Sequence, residues 1–412
     1  MKKRILSLLL ALVLVFGLLP VTASANELDN GLQYEVYGDH VEITEYTGDA
    51  AEVVIPAEID GLPVTAIDDF AFYDCSSLTD ITIPGSVTHI GKAAFCWCVN
   101  LTNIVIPDNV TFISASAFSH CTNLTSVYLP DSITYIGNDA FKNCESLTRI
   151  VIPSSVTKIG ERAFSECYEL RSVNIPNGIT YISPELFYMC HKLTNIHLPD
   201  SVTTIGYRAF SECYALTSIN IPNSVTEIEM AAFRACLELP CIDIPSSISI
   251  IRSSTFSGCE SLTNIVIPNS VTAIYDFAFF GCRGLTSITI PSSVVEIREA
   301  SFAGCSSLTE IHVDENNPNY TSDDRGVLFD KEKTMLLQAP SGIMGSYTIP
   351  DSTVTIATCA FSCCEKLTDI SIPDSVTNIE KRAFEQCYSL NSIIIPESVS
   401  VINEDTFFLV RI

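Results

Sequence analysis

Basic residues are scarce: 22 Lys and Arg stand against 48 Asp and Glu, a formal net charge of -26. Nucleic acid and anionic lipid surfaces repel such a chain, so neither is expected as a partner. Charge of either sign is thin at 17%, while 47% of residues are hydrophobic, which excludes a disordered chain. After residue 25 no apolar run reaches membrane-spanning length, so no span is expected in the mature chain. No G-x-S-x-G, H-E-x-x-H or phosphate-cradling glycine loop occurs. His40, His89, His120, His191, His197 and His312 are scattered without a partnered nucleophile. No catalytic residue, cofactor or metal site is therefore expected. The 17 cysteines are too many to ignore and too few for a disulfide scaffold.

What is present begins with a leader pattern. Lys2, Lys3 and Arg4 precede an apolar run from Leu8 to Leu19 and then Ala23-Ser24-Ala25. These are the parts of a secretory signal peptide over residues 1–25, cleaved after Ala25. Its removal takes away three basic and no acidic residues, moving the net charge from -26 to -29. The expected product is secreted or held at the cell surface.

A fixed period then sets the architecture. Prolines fall at Pro84, Pro107, Pro130 and onward to Pro291 in steps of 23, and resume at Pro350, Pro373 and Pro396. Phe72, Phe95, Phe118 and their successors to Phe302, then Phe361, Phe384 and Phe407, keep the same step. A period held this long is the signature of a solenoid. The unit from Phe95 carries apolar anchors at Phe95, Cys98, Leu101, Ile104, Ile106, Val110 and Ile113. L-x-x-I-x-I alternates and predicts a short strand that Pro107 ends, since proline lacks the ladder donor. V-T-x-I predicts a second short extended piece. The Ala before each Phe predicts a crowded bend, extended or one helical turn. A lone coil cannot cover its own apolar faces, so stability must come from stacking. About fourteen coils at ~4.8 Å give a core roughly 65 Å long.

The segment Cys259–Phe279, C-x-x-L-T-x-I-x-I-P-x-S-V-T-x-I-x-x-x-A-F, resembles the BspA-like class of bacterial leucine-rich repeats. In that class Cys often takes the place of the Asn found in other leucine-rich repeats. The resemblance covers about residues 50–410. It implies a right-handed repeat solenoid with a parallel β-sheet on one face. It also implies a surface or secreted protein whose characterised relatives are implicated in adhesion to host matrix proteins and other cells.

The expected organisation is an N-terminal β cap over 26–50, leucine-rich repeats over 51–311, and a variant repeat over 312–349. Repeats return over 350–412. Within the variant, Val327-Leu328-Phe329 and Met335-Leu336-Leu337 flank a polar turn, predicting one β-hairpin insertion. The chain's last residues show no capping pattern, so the expectation is either end-to-end self-association through that coil or a truncated gene product.

Thirteen cysteines from Cys75 to Cys387 share one ladder. In-register Cβ atoms lie nearly a strand spacing apart, beyond disulfide reach, so buried apolar thiols are expected. Cys96, Cys241, Cys359 and Cys363 fall off the ladder, with Cys241 facing outward and Cys359/Cys363 the two expected to bridge if any accidental pair forms. Asp314, Glu315, Asp323 and Asp324 offer calcium-type oxygens, but their spacing matches no known loop. The side chains flanking each inward Ile form two outward columns of mostly small polar residues. Tyr128, Arg149, His197 and Asp243 are the candidate binding residues there, because aromatic and Arg side chains dominate hot spots. Tyr168, Tyr214 and Tyr388 are expected to line another edge. The leading reading is a non-catalytic binding or adhesion protein for a host matrix protein, mucin or neighbouring cell, through protein or glycan. The rivals are an architectural surface spacer and, with less support, a polysaccharide-acting enzyme.

Overall fold

The computed structural model describes residues 26–403 and 405–410; the leader read at 1–25 lies outside them. The chain winds through about 15 turns of parallel β-solenoid, with no helix among the described residues. Two strand ladders run along it. In the first, Asn103–Val105 pairs in parallel with Ser126–Tyr128, Ile104 opposite Val127. In the second, Phe112–Ile113 pairs with Tyr135–Ile136, and that strand with Lys158–Ile159. Each pairing is offset by one repeat, so equivalent residues stack. Pro107 ends its strand for want of an N–H, and its carbonyl accepts the Val110 N–H at 3.1 Å to close a turn. The same Pro-to-Val or Pro-to-Ile turn recurs at Pro130, Pro153 and Pro176.

The bend is not helical. From Gly91 to Cys98 the backbone donors alternate. Ala94, Cys96 and Cys98 N–H close three-residue turns onto Gly91, Ala93 and Phe95 carbonyls (3.3, 3.1 and 3.2 Å). Ala93, Phe95 and Trp97 N–H reach forward to the next coil's Ala115, Ala117 and Ser119 carbonyls (3.0, 2.8 and 2.9 Å). Ala93 and Trp97 must then adopt left-handed φ of 52° and 67°. The same two positions are left-handed in the following coils, at Ser116 and His120, Arg162 and Glu166, Arg208 and Glu212. A side chain there costs roughly 1 kcal/mol, which Gly258, Gly281 and Gly304 avoid. A helical turn would direct these N–H groups along its own axis and forfeit the forward bonds.

Phe72 through Phe302 form one stack, with ring centroids 5.0 to 5.9 Å apart. Their side chains are fully buried. Leu101, Ile104 and Ile106 fill the same core, and Pro107 is also buried. The Cys column does more than fill space. Cys98 Sγ–H donates to the Phe72 carbonyl at 3.0 Å, Cys121 to Phe95 at 3.1 Å, and Cys144 to Phe118 at 3.2 Å. From Phe72 to Phe279 each Phe carbonyl thus receives a thiol from the following coil, as Phe361 does from Cys387, whereas Cys364 reaches the Pro340 carbonyl. Alanine would supply no donor. All seventeen cysteines are unpaired, Cys359 and Cys363 included; Cys363 instead donates to Gln386 Oε1 at 3.3 Å. Cys241 is exposed.

At the amino end, β1 (Asn26–Glu27), β2 (Leu32–Tyr37) and β3 (His40–Tyr46) form an antiparallel meander. β3 is also the first strand of the second ladder, pairing in parallel with the strand Leu62–Ile67. Tyr46 stacks on Phe72 at 5.3 Å and so starts the aromatic column. In the variant coil Tyr320–Ser322, Leu328–Asp330 and Met335–Gln338 make three antiparallel strands, one more than the hairpin expected. The last of them rejoins the second ladder at Thr355–Ile356. Buried Asn317 pins this excursion. Its Nδ2 donates to Pro291 and Val294 carbonyls (2.8 and 2.9 Å), and its Oδ1 accepts from Asn319 and Tyr320 N–H, both 2.9 Å.

Candidate functional site: the outward sheet face

The first ladder directs Ile104, Ile150 and Ile196 inward, so their neighbours stand out from the sheet. Tyr128, Arg149, His197 and Asp243 are all exposed on this face. Tyr128 and Arg149 occupy adjacent coils. His197 lies two coils beyond Arg149 and Asp243 two beyond that, so the four form a line along the sheet, not one cluster.

Two residues missed by the sequence reading flank Tyr128. Val105 (60% exposed), Tyr128 (55%) and Val151 (56%) stand in register on successive coils, a continuous apolar stripe. They line a shallow depression of about 540 Å³ with Asn103, Ser126 and Asp131 on its sides. A second shallow recess beside it includes Arg149, Val151 and Asn174. The signal was present: both valines belong to the column read as outward. A weighting toward aromatic and charged side chains passed over them.

Other outward residues serve the fold. Asn174 donates to the Ile152 carbonyl at 2.7 Å and accepts the Ile152 N–H at 2.9 Å. Asn220 makes the same pair with Leu198, both at 3.1 Å. These amides stand in for a missing ladder step. On the turn edge Tyr168, His191 and Tyr214 stack at 4.9 and 4.5 Å, and burial lowers the His191 pKa. Tyr388 lies far along the chain from that stack, exposed.

The loop acids are engaged locally. Asp323 Oδ1 accepts the Arg325 and Val327 N–H groups, both at 2.9 Å, and its Oδ2 accepts the Tyr347 hydroxyl at 2.6 Å. That contact and burial raise the Tyr347 pKa, burial foremost. Asp314 Oδ1 accepts from Asn316 N–H and Nδ2. Among the described residues no three His, Cys, Asp or Glu side chains gather as a metal site, and no helix is long and apolar enough to cross a membrane.

Parallel ladders around a Leu, Ile and Phe interior, with one flat strand face outward, define a leucine-rich-repeat protein. The chain belongs to the BspA-type leucine-rich-repeat family, whose repeat pattern matches residues 65–194, 111–239, 227–323 and 341–411. A leucine-rich-repeat protein of Bacteroides ovatus is 27% identical, with a TM-score of 0.65, over 89% of this chain and 93% of that one. A leucine-rich cell surface protein of Faecalibacterium prausnitzii is 30% identical over 71% of this chain and 95% of that one, TM-score 0.45. The T. pallidum leucine-rich-repeat protein is 33% identical over 52% of this chain and 91% of that one, TM-score 0.41. No functionally curated protein matches the chain.

Proposed function

We propose that this is an exported, non-catalytic cell-surface protein that holds a protein or glycan of a host or neighbouring cell on its outward sheet face. The reading rests on the exposed stripe Val105–Tyr128–Val151, with Arg149 beside it. Contiguous exposed apolar side chains rimmed by polar groups are what an interaction surface requires. An aromatic and an Arg in that setting are the usual anchors. The leader pattern of residues 1–25 supports export, and the cell surface relative supports the location.

The test is capture from matrix and mucin extracts by the purified protein. Combined Tyr128→Ala, Arg149→Ala and His197→Ala should weaken capture about tenfold or more, since hot-spot truncations cost about 2 kcal/mol or more. Undiminished capture by the triple variant would move the site elsewhere. Absence of any captured ligand would favour the architectural spacer, which the structural use of Asn174 and Asn220 also suits.

A further inference from the structure

Among the described residues, the forward bonds of the turn ribbon fail where the variant coil follows. In the coil before the variant repeat, Phe277, Phe279 and Gly281 N–H donate to Glu299, Ser301 and Ala303 carbonyls at 3.1, 2.8 and 2.9 Å. One coil later the equivalent donors are Ala300, Phe302 and Gly304. Gly304 N–H finds Ser341 Oγ at 3.1 Å. The Ala300 and Phe302 N–H groups have no acceptor among the described residues. Both residues are buried overall and line the gap that the missing acceptors leave.

The cause is the variant coil, which has no complete ribbon to lay against them. In its place is a notch of about 390 Å³. Gln338, 97% buried by its 3% exposure, lines it. Its Nε2 is fully used on Ala339, Cys359 and Ala360 carbonyls, at 3.2, 3.2 and 3.1 Å. Its Oε1 is left buried without a partner. The mouth is acidic. Arg298 is occupied by Glu296 at 2.7 Å, Asp276 at 4.0 Å and the Tyr275 ring at 3.6 Å. Glu380 Oε2 accepts the Thr358 N–H and hydroxyl at 2.9 and 3.0 Å, and no cation pairs with Glu299 or Glu380 among the described residues.

We infer that this notch is a second binding site, separate from the sheet face, for a short peptide segment of a partner protein carrying a basic side chain. Everywhere else in the ribbon the two donors take carbonyls two residues apart on a single backbone. A peptide supplies that spacing, and it also brings an N–H for Gln338 Oε1. A lysine or arginine on the segment meets Glu299 and Glu380.

The test is hydrogen exchange by mass spectrometry on the full chain. Without ligand, segment 298–304 should exchange about tenfold faster than segment 275–281, whose forward donors are paired. A millimolar acetylated and amidated tripeptide with a central lysine should slow exchange in 298–304 and leave 275–281 unchanged. Its glutamate analogue should need about 3–10-fold more peptide for the same protection. Glu299→Lys should abolish that preference, and Ala357→Trp, which fills the notch, should abolish protection. No protection by the lysine peptide, equal protection of the Ala357→Trp protein, or protection by N-acetylglucosamine alone would overturn the proposal. Segment 275–281 reports whether each variant remains folded, so loss of binding is separable from loss of structure.

Discussion

Raising the pH should unwind the solenoid through its thiols. Ten ladder cysteines between Cys121 and Cys387 have pKa values raised by burial, those of Cys167, Cys259 and Cys387 to about 12. A solvated thiol ionises at 9.0. The native state therefore keeps protons that the unfolded chain releases. The stability these groups allow is complete below 9.0 and declines as pH rises toward about 12. At about pH 10 each thiol favours the unfolded chain by about 1.4 kcal/mol. Ten of them amount to roughly 14 kcal/mol, as large as the stability of a whole ordinary domain. With one thiol per coil the loss is spread evenly along the rod. Urea unfolding followed by circular dichroism from about pH 7 to pH 10 should show the midpoint falling steeply above about pH 8. Replacing Cys144 and Cys167 by Ala should remove about a fifth of that pH dependence, because two of the ten groups are gone. A midpoint that stays flat would refute the reasoning. So would thiolate absorbance equivalent to most of the seventeen cysteines appearing in the native protein near 9.0.

Other substitutions probe the stack and the variant coil. Phe187→Ala removes a fully buried ring from between Phe164 (5.9 Å) and Phe210 (5.5 Å) and should cost about 3–5 kcal/mol, read as a lower urea midpoint. Asn317→Ala leaves two carbonyls and two N–H groups unmet in a buried turn. It should cost about 3 kcal/mol or more and release residues 317–322 to proteolysis while the Phe72–Phe302 stack stays protected.

Period, ladder residues and strand positions were legible because each depends on side chains that recur every 23 residues. Ile104 inward and Val105 outward follow from alternation alone. The ribbon was not legible, because its geometry is carried by backbone donors, and its left-handed positions hold residues as unlike as Trp97, Glu166 and Arg208. One clue was there: Gly258, Gly281 and Gly304 fall in register two residues after Phe. The thiol-to-carbonyl bond was hidden for a related reason. Burial explains a Cys, and only the position of the Phe72 carbonyl shows what its thiol adds beyond filling space. At the outward face, Tyr128 and Arg149 were readable as candidates, but their joining into one stripe required Val105 and Val151. The notch beside Ala300 and Phe302 arises from something missing in the next coil, which no residue of its own announces.

The forward donors of the ribbon all run the same way, from each coil toward its carboxyl-terminal neighbour. Peptide dipoles aligned in this manner add along an axis as they do in an α-helix. On either side of the variant coil, one edge of the rod is therefore electrically polar, positive toward the later coils, although the chain's net charge is negative. A body settling along that edge would sense which way the protein points, and two molecules lying side by side would be steered into opposite directions.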